Sequence, residues 1–162
     1  MPNIEIRDAD LSNPDDARDV VDLLNAYALD PAGGGHALDP HVKERLAAEL
    51  AKRAAVHVAL AFADQAPAGL AICIEGFSSF ACMPLLNLHD LVVVDKFRGL
   101  GIAKKLLAHV ETIGRRLGCC KITLEVLEGN AVAQSLYRSQ GFAGYELDPE
   151  MGKAMLWQRK LL

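Results

Sequence analysis

The sequence has no excess of positive charge. Its 162 residues include 17 Lys or Arg and 21 Asp or Glu, which gives a formal net charge of −4. A protein that binds nucleic acid needs a basic surface to neutralise phosphates. We therefore expect no DNA or RNA partner.

The cysteines are few and are poorly spaced for binding a metal. They are Cys73, Cys82, Cys119 and Cys120, and no CxxC pair or Cys/His ligand spacing is present. Such a set favours reduced thiols, which are typical of the cytoplasm. We expect no metal cofactor and a cytoplasmic location.

Long apolar runs and a leader pattern are also missing. No run reaches the ~18 residues that a membrane span needs. The first residues, MPNIEIRDAD, lack a basic stretch followed by an apolar block, so we expect no export signal and no membrane partner. With no repeat and 51% hydrophobic residues, the sequence predicts a single domain over residues 1–162.

The sequence does contain a clear succession of strand and helix patterns. IEIR reads as a first strand, Ser12 or Asn13 caps a first helix with Pro14 in its first turn, and Asp39-Pro40 starts a second helix. VHVALAF and AGLAICIEGF form a hairpin around ADQAP, and LNLHDLVVV is a further, central strand. A helix over 101–117 shows apolar residues at helical spacing.

The last third of the chain predicts a strand, a short helix and a hairpin. In KITLEVL, the residues Ile122, Leu124 and Val126 alternate inward, NAVAQSLYRSQGF is helical, and AGYEL pairs with AMLWQRK. The predicted order is β-α-α-β-β-β-α-β-α-β-β. This is an α/β fold with a mixed, mostly antiparallel central sheet and helices on both faces.

A turn with two glycines separates the central strand from the long helix. Gly99 and Gly101 stand where a helix starts, and the free N–H groups of a helix start form a ready anion site. A phosphate-binding P-loop would need Gly-Lys-Ser/Thr, but Ile102 follows Gly101. A dinucleotide fingerprint would need a third glycine where Lys104 stands, although Glu125 lies roughly where its ribose-binding acid belongs.

The segment RGLGIA fits a third pattern better, R/Q-x-x-G-x-G/A, with Arg98, Gly101 and Ala103 in register. Here the sequence resembles the GNAT superfamily of N-acetyltransferases, whose loop of this form holds the diphosphate of acetyl-CoA through backbone amides. The resemblance implies that the preceding strand pairs with pantetheine through Leu91, Val92 and Val93. It also implies a diphosphate cradle with Lys104 beside it, made of Arg98, Gly99, Leu100, Gly101, Ile102 and Ala103.

The resemblance extends downstream to LEVLEGNAVAQSLYRSQGF. This segment is similar to the family's second cofactor segment, with a strand, Asn130, a short helix that carries Ala133 and Tyr137, and then Gly-Phe. Asn130, Ala133 and Tyr137 are the cofactor-contacting residues that it implies. The two segments together cover roughly residues 88–142, and the element order supports the match over nearly the whole chain.

The resemblance implies transfer of an acetyl group from acetyl-CoA to a primary amine of a small molecule. By family position, Tyr137 protonates the leaving thiolate. Backbone N–H groups at Val92 or Val93 hold the thioester carbonyl. A general base must also act, because an alkylamine with a pKa of about 10.4 is almost fully protonated at neutral pH.

The base is predicted within the strand that precedes the turn. In diamine- and polyamine-acetylating relatives this strand reads L-E-D-L-x-V, and here it reads LHDLVV, so His89 stands where those relatives carry Glu. Imidazole is a competent base near neutral pH, and alternation puts Asp90 on the opposite face. The substitution weakens any transfer of polyamine specificity. Glu75 is a further candidate, and a structural role for His89 stays open.

Other readings of these segments also stay open. The same fold could acetylate a protein or peptide, and a CoA-binding module without turnover would need only the turn. GGG at 33–35 is either a flexible rim of the acceptor site or a plain linker. Phe77 and Phe80 either line the acceptor pocket or pack in the core. Met155, Trp157 and Leu161 alternate in the last predicted strand, which favours a homodimer.

Overall fold

The computed structural model describes all residues, 1–162. It consists of five strands and four α-helices, with two short 3₁₀ turns at Pro31–Gly33 and Asp95–Phe97. The elements are β1 (Ile4–Asp8), α1 (Pro14–Leu29), α2 (Pro40–Ala51), β2 (Val56–Ala63), β3 (Ala66–Ser78), β4 (Met83–Val93), α3 (Ile102–Arg116), β5 (Ile122–Leu124) and α4 (Ala131–Ser139). None of the helices is both long and apolar enough to cross a lipid bilayer.

The chain divides into two compact bodies, Met1–Leu124 and Glu125–Leu162. The first body contains the whole sheet, in the order β1-β2-β3-β4-β5. The first four strands pair antiparallel and β5 joins β4 in parallel, so the predicted mixed, mostly antiparallel sheet is confirmed.

Helices cover both faces of this sheet, as predicted. On one face, Val20 and Leu23 of α1 belong to a buried cluster with Leu70, Ile72 and Val92. On the other face, a methyl group at Gly69 would lie 3.0 Å from Leu106 and 3.3 Å from Ile102. Because glycine has no side chain, α3 can approach the sheet closely at this position. Burial of this kind contributes most of the stability of such a domain.

Several local predictions are confirmed in detail. Asn13 caps α1 by accepting from the Asp15 N–H, and Pro14 occupies its first turn. The β2–β3 hairpin turns at Asp64 and Gln65, both with positive φ, as a tight hairpin turn requires. The apolar stripe predicted for the long helix is buried in α3 at Ile102, Leu106, Val110 and Ile113.

The predicted last hairpin is wrong. In the second body, AGYEL and AMLWQRK form no strands, and an isolated antiparallel bridge joins Glu146 to Lys153. All residues over 143–162 are exposed, so no apolar face stabilises a ladder there. Asp148-Pro149 and Gly152, which are turn-forming residues, interrupt the segment. Val126, predicted to point inward, lies beyond the end of β5 and is exposed.

Candidate active site

Strand β4 contains one residue more than its partner at the level of His89. Leu88 pairs with Cys73 and Asp90 pairs with Ile72, which are neighbours on β3, so His89 has no partner in the ladder. This is a β-bulge. It breaks the alternation of faces: Leu88 and Asp90, two apart in sequence, lie on opposite faces. Faces counted across His89 from sequence alone are therefore unreliable.

The pairing of β5 with β4 ends where the bulge begins. The parallel pairs run from Leu86 with Ile122 to Leu88 with Leu124, and no strand pairs with the same edge of β4 beyond them. This edge can therefore accept an extended ligand by strand-like hydrogen bonds.

The register decides which backbone groups face that edge. The Val94 N–H donates to the Ala68 C=O at 3.1 Å. Because hydrogen-bonded pairs alternate in an antiparallel ladder, Val92 also bonds to β3, whereas Leu91 and Val93 direct their N–H and C=O groups to the edge without a strand. Of the two amides predicted to hold the thioester carbonyl, only that of Val93 faces this edge.

The segment 98–104, named here the double-glycine turn, leads from β4 into α3. Gly99 and Gly101 have φ of 81° and 75°, and no atom lies within 4 Å of the position where either would carry a methyl group. Gly101 is the N-cap and offers no side chain to the helix amides. The first helix bond runs from the Lys105 N–H to the Gly101 C=O, which leaves the Ile102, Ala103 and Lys104 amides at the helix start for an anion.

The Arg98 side chain turns back towards its own fold. Its Nε donates to the Val93 C=O at 3.2 Å, and its Nη2 lies 3.0 Å from Asp95 Oδ1 and 3.1 Å from Asp30 Oδ2. Asp30 follows the last residue of α1. The guanidinium therefore connects the end of β4, the turn after it and the end of α1.

The two predicted base residues differ in their surroundings. His89 is exposed, whereas Asp90 is half-buried on the face that α1 covers. Burial raises the pKa of the Asp90 carboxyl, and the charge of His89 partly opposes this rise. A buried carboxyl with a raised pKa is a stronger base than an exposed one.

Tyr27 and Cys73 lie close enough to Asp90 to sense its charge. Burial, then Asp90 and then Asp30 raise the pKa of the Tyr27 hydroxyl, so Tyr27 stays protonated and remains a hydrogen-bond donor. Burial and Asp90 raise the pKa of the Cys73 thiol to about 12, which keeps it an unreactive thiol. Glu75 lies three residues along β3 from Ile72, the partner of Asp90, and its Oε2 is 3.5 Å from His57 Nε2.

The second body carries the remaining predicted residues. The Asn130 side chain caps α4 by accepting from the Ala133 N–H at 3.1 Å. The ring of Tyr137 packs edge-on against Phe142, with the ring centroids 5.8 Å apart. Gly141 ends the helix segment with φ of 87°. Residues 130–142 thus form the capped short helix that the sequence predicts, with Tyr137 packed on Phe142 at its end.

The structure also decides between the alternatives left open for Phe77, Phe80 and the GGG segment. Phe77 and Phe80 are 64% and 93% exposed, so they do not pack in the core. The GGG segment is a hydrogen-bonded turn and not a plain linker, because the Gly33 and Gly35 N–H groups both donate to the Asp30 C=O. Sequence reasoning missed Tyr27 and Asp30. The Asp-Pro pair at 30–31 was the available signal of a structured turn.

The fold and the site together define a class of protein: an α/β domain with an anion-binding helix start that follows a strand with one unpaired edge. The sequence pattern of the acetyltransferase (GNAT) family matches residues 19–142. The chain belongs to this family and is an acyl-CoA-dependent N-acetyltransferase.

Comparison with individual proteins agrees with this assignment. The chain is 34% identical over 68 residues to the uncharacterized N-acetyltransferase YycN of Bacillus subtilis (strain 168), an alignment that spans 42% of each chain. It is 24% identical over 157 residues to thialysine N-epsilon-acetyltransferase of Caenorhabditis elegans, over 91% of this chain and 94% of the relative. The fold resembles that of aminoglycoside N-acetyltransferase AAC(6')-Iy solved in complex with CoA, with a TM-score of 0.73, 20% identity and coverage of 100% and 97%.

Proposed function

We propose that this enzyme transfers the acetyl group of acetyl-CoA to a primary amine of a small molecule. The observation that carries the proposal is the combination of the double-glycine turn with the unpaired edge of β4. The turn suits a diphosphate and the edge suits the amide groups of pantetheine, and they are continuous in sequence. Two relatives with small-molecule substrates, a thialysine and an aminoglycoside acetyltransferase, support a small amine as the acceptor.

The cofactor contacts follow from these elements. The amides of the double-glycine turn would hold the diphosphate, from Gly99 to Ala103 with Lys104 beside them. Leu91 would bond to pantetheine through its N–H and C=O groups, and Val93 through its N–H, because Arg98 occupies the Val93 C=O. Asn130, Ala133 and Tyr137 are proposed as cofactor residues by the resemblance of their segment. No group of His, Cys, Asp or Glu side chains suited to a metal ion is present, and the proposed chemistry requires none.

The proposed reaction is a direct transfer. The amine nitrogen attacks the thioester carbonyl carbon, a base removes the proton of the amine, the C–S bond breaks, and the thiolate of CoA takes a proton from Tyr137. Deprotonating an alkylamine at pH 7 costs about 4.6 kcal/mol. We assign this step to the His89–Asp90 pair, with Asp90 as the base because its pKa is raised, and with exposed His89 beside it.

A turnover assay tests the proposal. The enzyme is incubated with acetyl-CoA and, one at a time, with thialysine, lysine, diamines and aminoglycosides. The release of free thiol is measured for each acceptor. We expect thiol release with at least one acceptor to be faster than the hydrolysis of acetyl-CoA without an acceptor. Tyr137→Phe keeps the ring and should lower kcat by about tenfold to a thousandfold, with a smaller effect on binding of acetyl-CoA. CoA binding without thiol release from any acceptor would indicate a binding module instead.

A homodimer belongs to the same proposal. The residues over 145–162 expose large apolar side chains, among them Met155, Leu156 and Leu161. Surfaces of this kind are typical of interfaces. A cytoplasmic location and a single domain stay predictions from composition.

A further inference from the structure

The connection between α1 and α2 contains a compact turn, residues 30–36, named here the triple-glycine turn. The Gly33 and Gly35 N–H groups donate to the Asp30 C=O at 2.8 Å and 3.1 Å, and the His36 N–H donates to the Ala28 C=O at 3.0 Å. A methyl group at Gly33 would lie 2.0 Å from the Tyr27 carbonyl oxygen, so the turn packs directly on the end of α1.

Asp30 connects this turn to the rest of the site through two different oxygens. Its Oδ1 accepts from the Ala32 N–H at 2.9 Å and so holds the triple-glycine turn. Its Oδ2 accepts from Arg98 Nη2 at 3.1 Å and so reaches the double-glycine turn. The two turns, 68 residues apart at this contact, are joined by one carboxylate.

Arg98 also contacts residues close to it in sequence. Its Nε is bonded to the Val93 C=O at the end of β4, and Asp95 contacts the same Nη2 as Asp30. A rigid planar guanidinium with partners on both sides transmits a displacement better than a flexible ammonium would.

The triple-glycine turn also contacts the side chain of Tyr27. The Tyr27 hydroxyl donates to the Ala32 C=O at 3.5 Å, and it senses the charges of both Asp90 and Asp30. Tyr27 therefore contacts the turn directly and lies within electrostatic range of both carboxylates.

We propose that Arg98 is a positioning residue that couples the two glycine turns through Asp30, so that CoA bound at the double-glycine turn orders the triple-glycine turn at the end of α1. The inference rests on the proposed function only in taking CoA as the ligand. Coupling of this kind is reciprocal, so whatever orders the triple-glycine turn tightens the binding of CoA by the same factor. Because the pair is partly exposed, at 58% for Arg98 and 27% for Asp30, the factor is modest, about threefold to tenfold.

The test compares two substitutions that each remove one carboxylate from Arg98. Asp30→Asn keeps an oxygen to accept from the Ala32 N–H but places an NH₂ group where Arg98 needs an acceptor. Asp95→Asn makes the same change of charge on the partner that does not reach the triple-glycine turn. For the wild type and both variants, CoA affinity is measured by calorimetry, and exchange of the Gly33, Gly35 and His36 amides is measured by NMR with and without saturating CoA.

We expect CoA to slow exchange of these amides about threefold to tenfold in the wild type and in Asp95→Asn, and to leave it unchanged in Asp30→Asn. The readout is the change in exchange rate when CoA is added to the same variant. A loss of structure in Asp30→Asn would speed exchange with and without CoA and would not by itself remove the response in a variant that still binds CoA. Slowing that persists in Asp30→Asn, or that is absent from a wild type that binds CoA, overturns the coupling alone. A wild type that does not bind CoA overturns the proposed function and the coupling together.

Discussion

Two glycine-rich turns lie in the same body of this enzyme and look alike in sequence, but their glycines meet different physical demands. In the triple-glycine turn, Gly33 is required because the Tyr27 carbonyl occupies the space of a side chain. In the double-glycine turn, Gly99 and Gly101 face open space and are required by their positive φ. Protein atoms close the space beside Gly33, whereas the space beside Gly99 and Gly101 is open. The surroundings of a glycine therefore separate a requirement of packing from a requirement of backbone conformation, which its spacing in sequence cannot do.

The largest effect is expected when a charged side chain is placed in the double-glycine turn. Gly101→Glu places a carboxylate where the proposed diphosphate lies and forces a side chain into φ of 75°. Like charges and a blocked helix start should weaken CoA binding by at least about a hundredfold. Calorimetry measures this, with Gly101→Ala as the control for backbone strain. Unchanged affinity would place the cofactor elsewhere.

The next prediction concerns Asp90, which lies on β4 opposite Ile72. A base must be ionised, so kcat/KM should fall as pH drops through the pKa of Asp90, which burial raises above its ordinary value of 3.8. Asp90→Asn should lower kcat by about a hundredfold or more and remove this acid limb.

His89→Gln is the matched control for Asp90→Asn. It should keep the acid limb and most of the rate. If the limb disappears in His89→Gln and survives in Asp90→Asn, the two roles are reversed.

The same variant should change stability in the opposite sense to activity. A carboxyl whose pKa is higher in the folded than in the unfolded state costs stability as pH rises through the folded value. Asp90→Asn should therefore raise Tm at neutral pH relative to the wild type, and the difference should vanish in acid below the unfolded pKa. Thermal unfolding at both pH values checks this, and a lower Tm at neutral pH would contradict it.

A smaller effect, on stability, is expected when a side chain is added at Gly33 of the triple-glycine turn. Gly33→Ala puts a methyl group against the Tyr27 carbonyl, and the backbone must shift, at a cost of about 1–3 kcal/mol in the free energy of unfolding. CoA affinity at a temperature where the protein is folded should change by no more than about threefold to tenfold, which is the coupling proposed between the two turns. A denaturant titration measures the first quantity and calorimetry the second.

The finest comparison uses two glycines with the same backbone demand. Gly34 and Gly99 both have positive φ, and nothing lies within 4 Å of a methyl group at either. Gly34→Ala and Gly99→Ala should each cost about 1 kcal/mol of stability. Only Gly99→Ala should weaken CoA binding, by a few fold. Equal effects on CoA affinity would remove the distinction between the turns.

The sequence predicted those parts of the fold that depend on neighbouring residues. The cap at Asn13, the hairpin turn at Asp64 and Gln65, and the buried stripe of α3 each follow from a few consecutive positions. The last hairpin failed because a strand needs both a paired neighbour and a buried face, and residues 143–162 have one isolated bridge and no buried face.

The site divides in the same way. The double-glycine turn could be predicted because strand, turn and helix follow one another in sequence. The bulge at His89 could not, because an unpaired residue is defined by its neighbour on β3 and not by its own segment. The contact between Asp30 and Arg98 spans 68 residues and leaves no local pattern.

The exposed end of the chain has a spectroscopic consequence. The sequence contains one tryptophan, Trp157, and its side chain is 82% exposed. The indole emission of the enzyme therefore comes from a single fluorophore in water. If a second copy covers this segment, the emission should shift to shorter wavelength as the protein concentration rises, in step with the doubling of mass measured by light scattering. A red-shifted emission at all concentrations would come from a monomer.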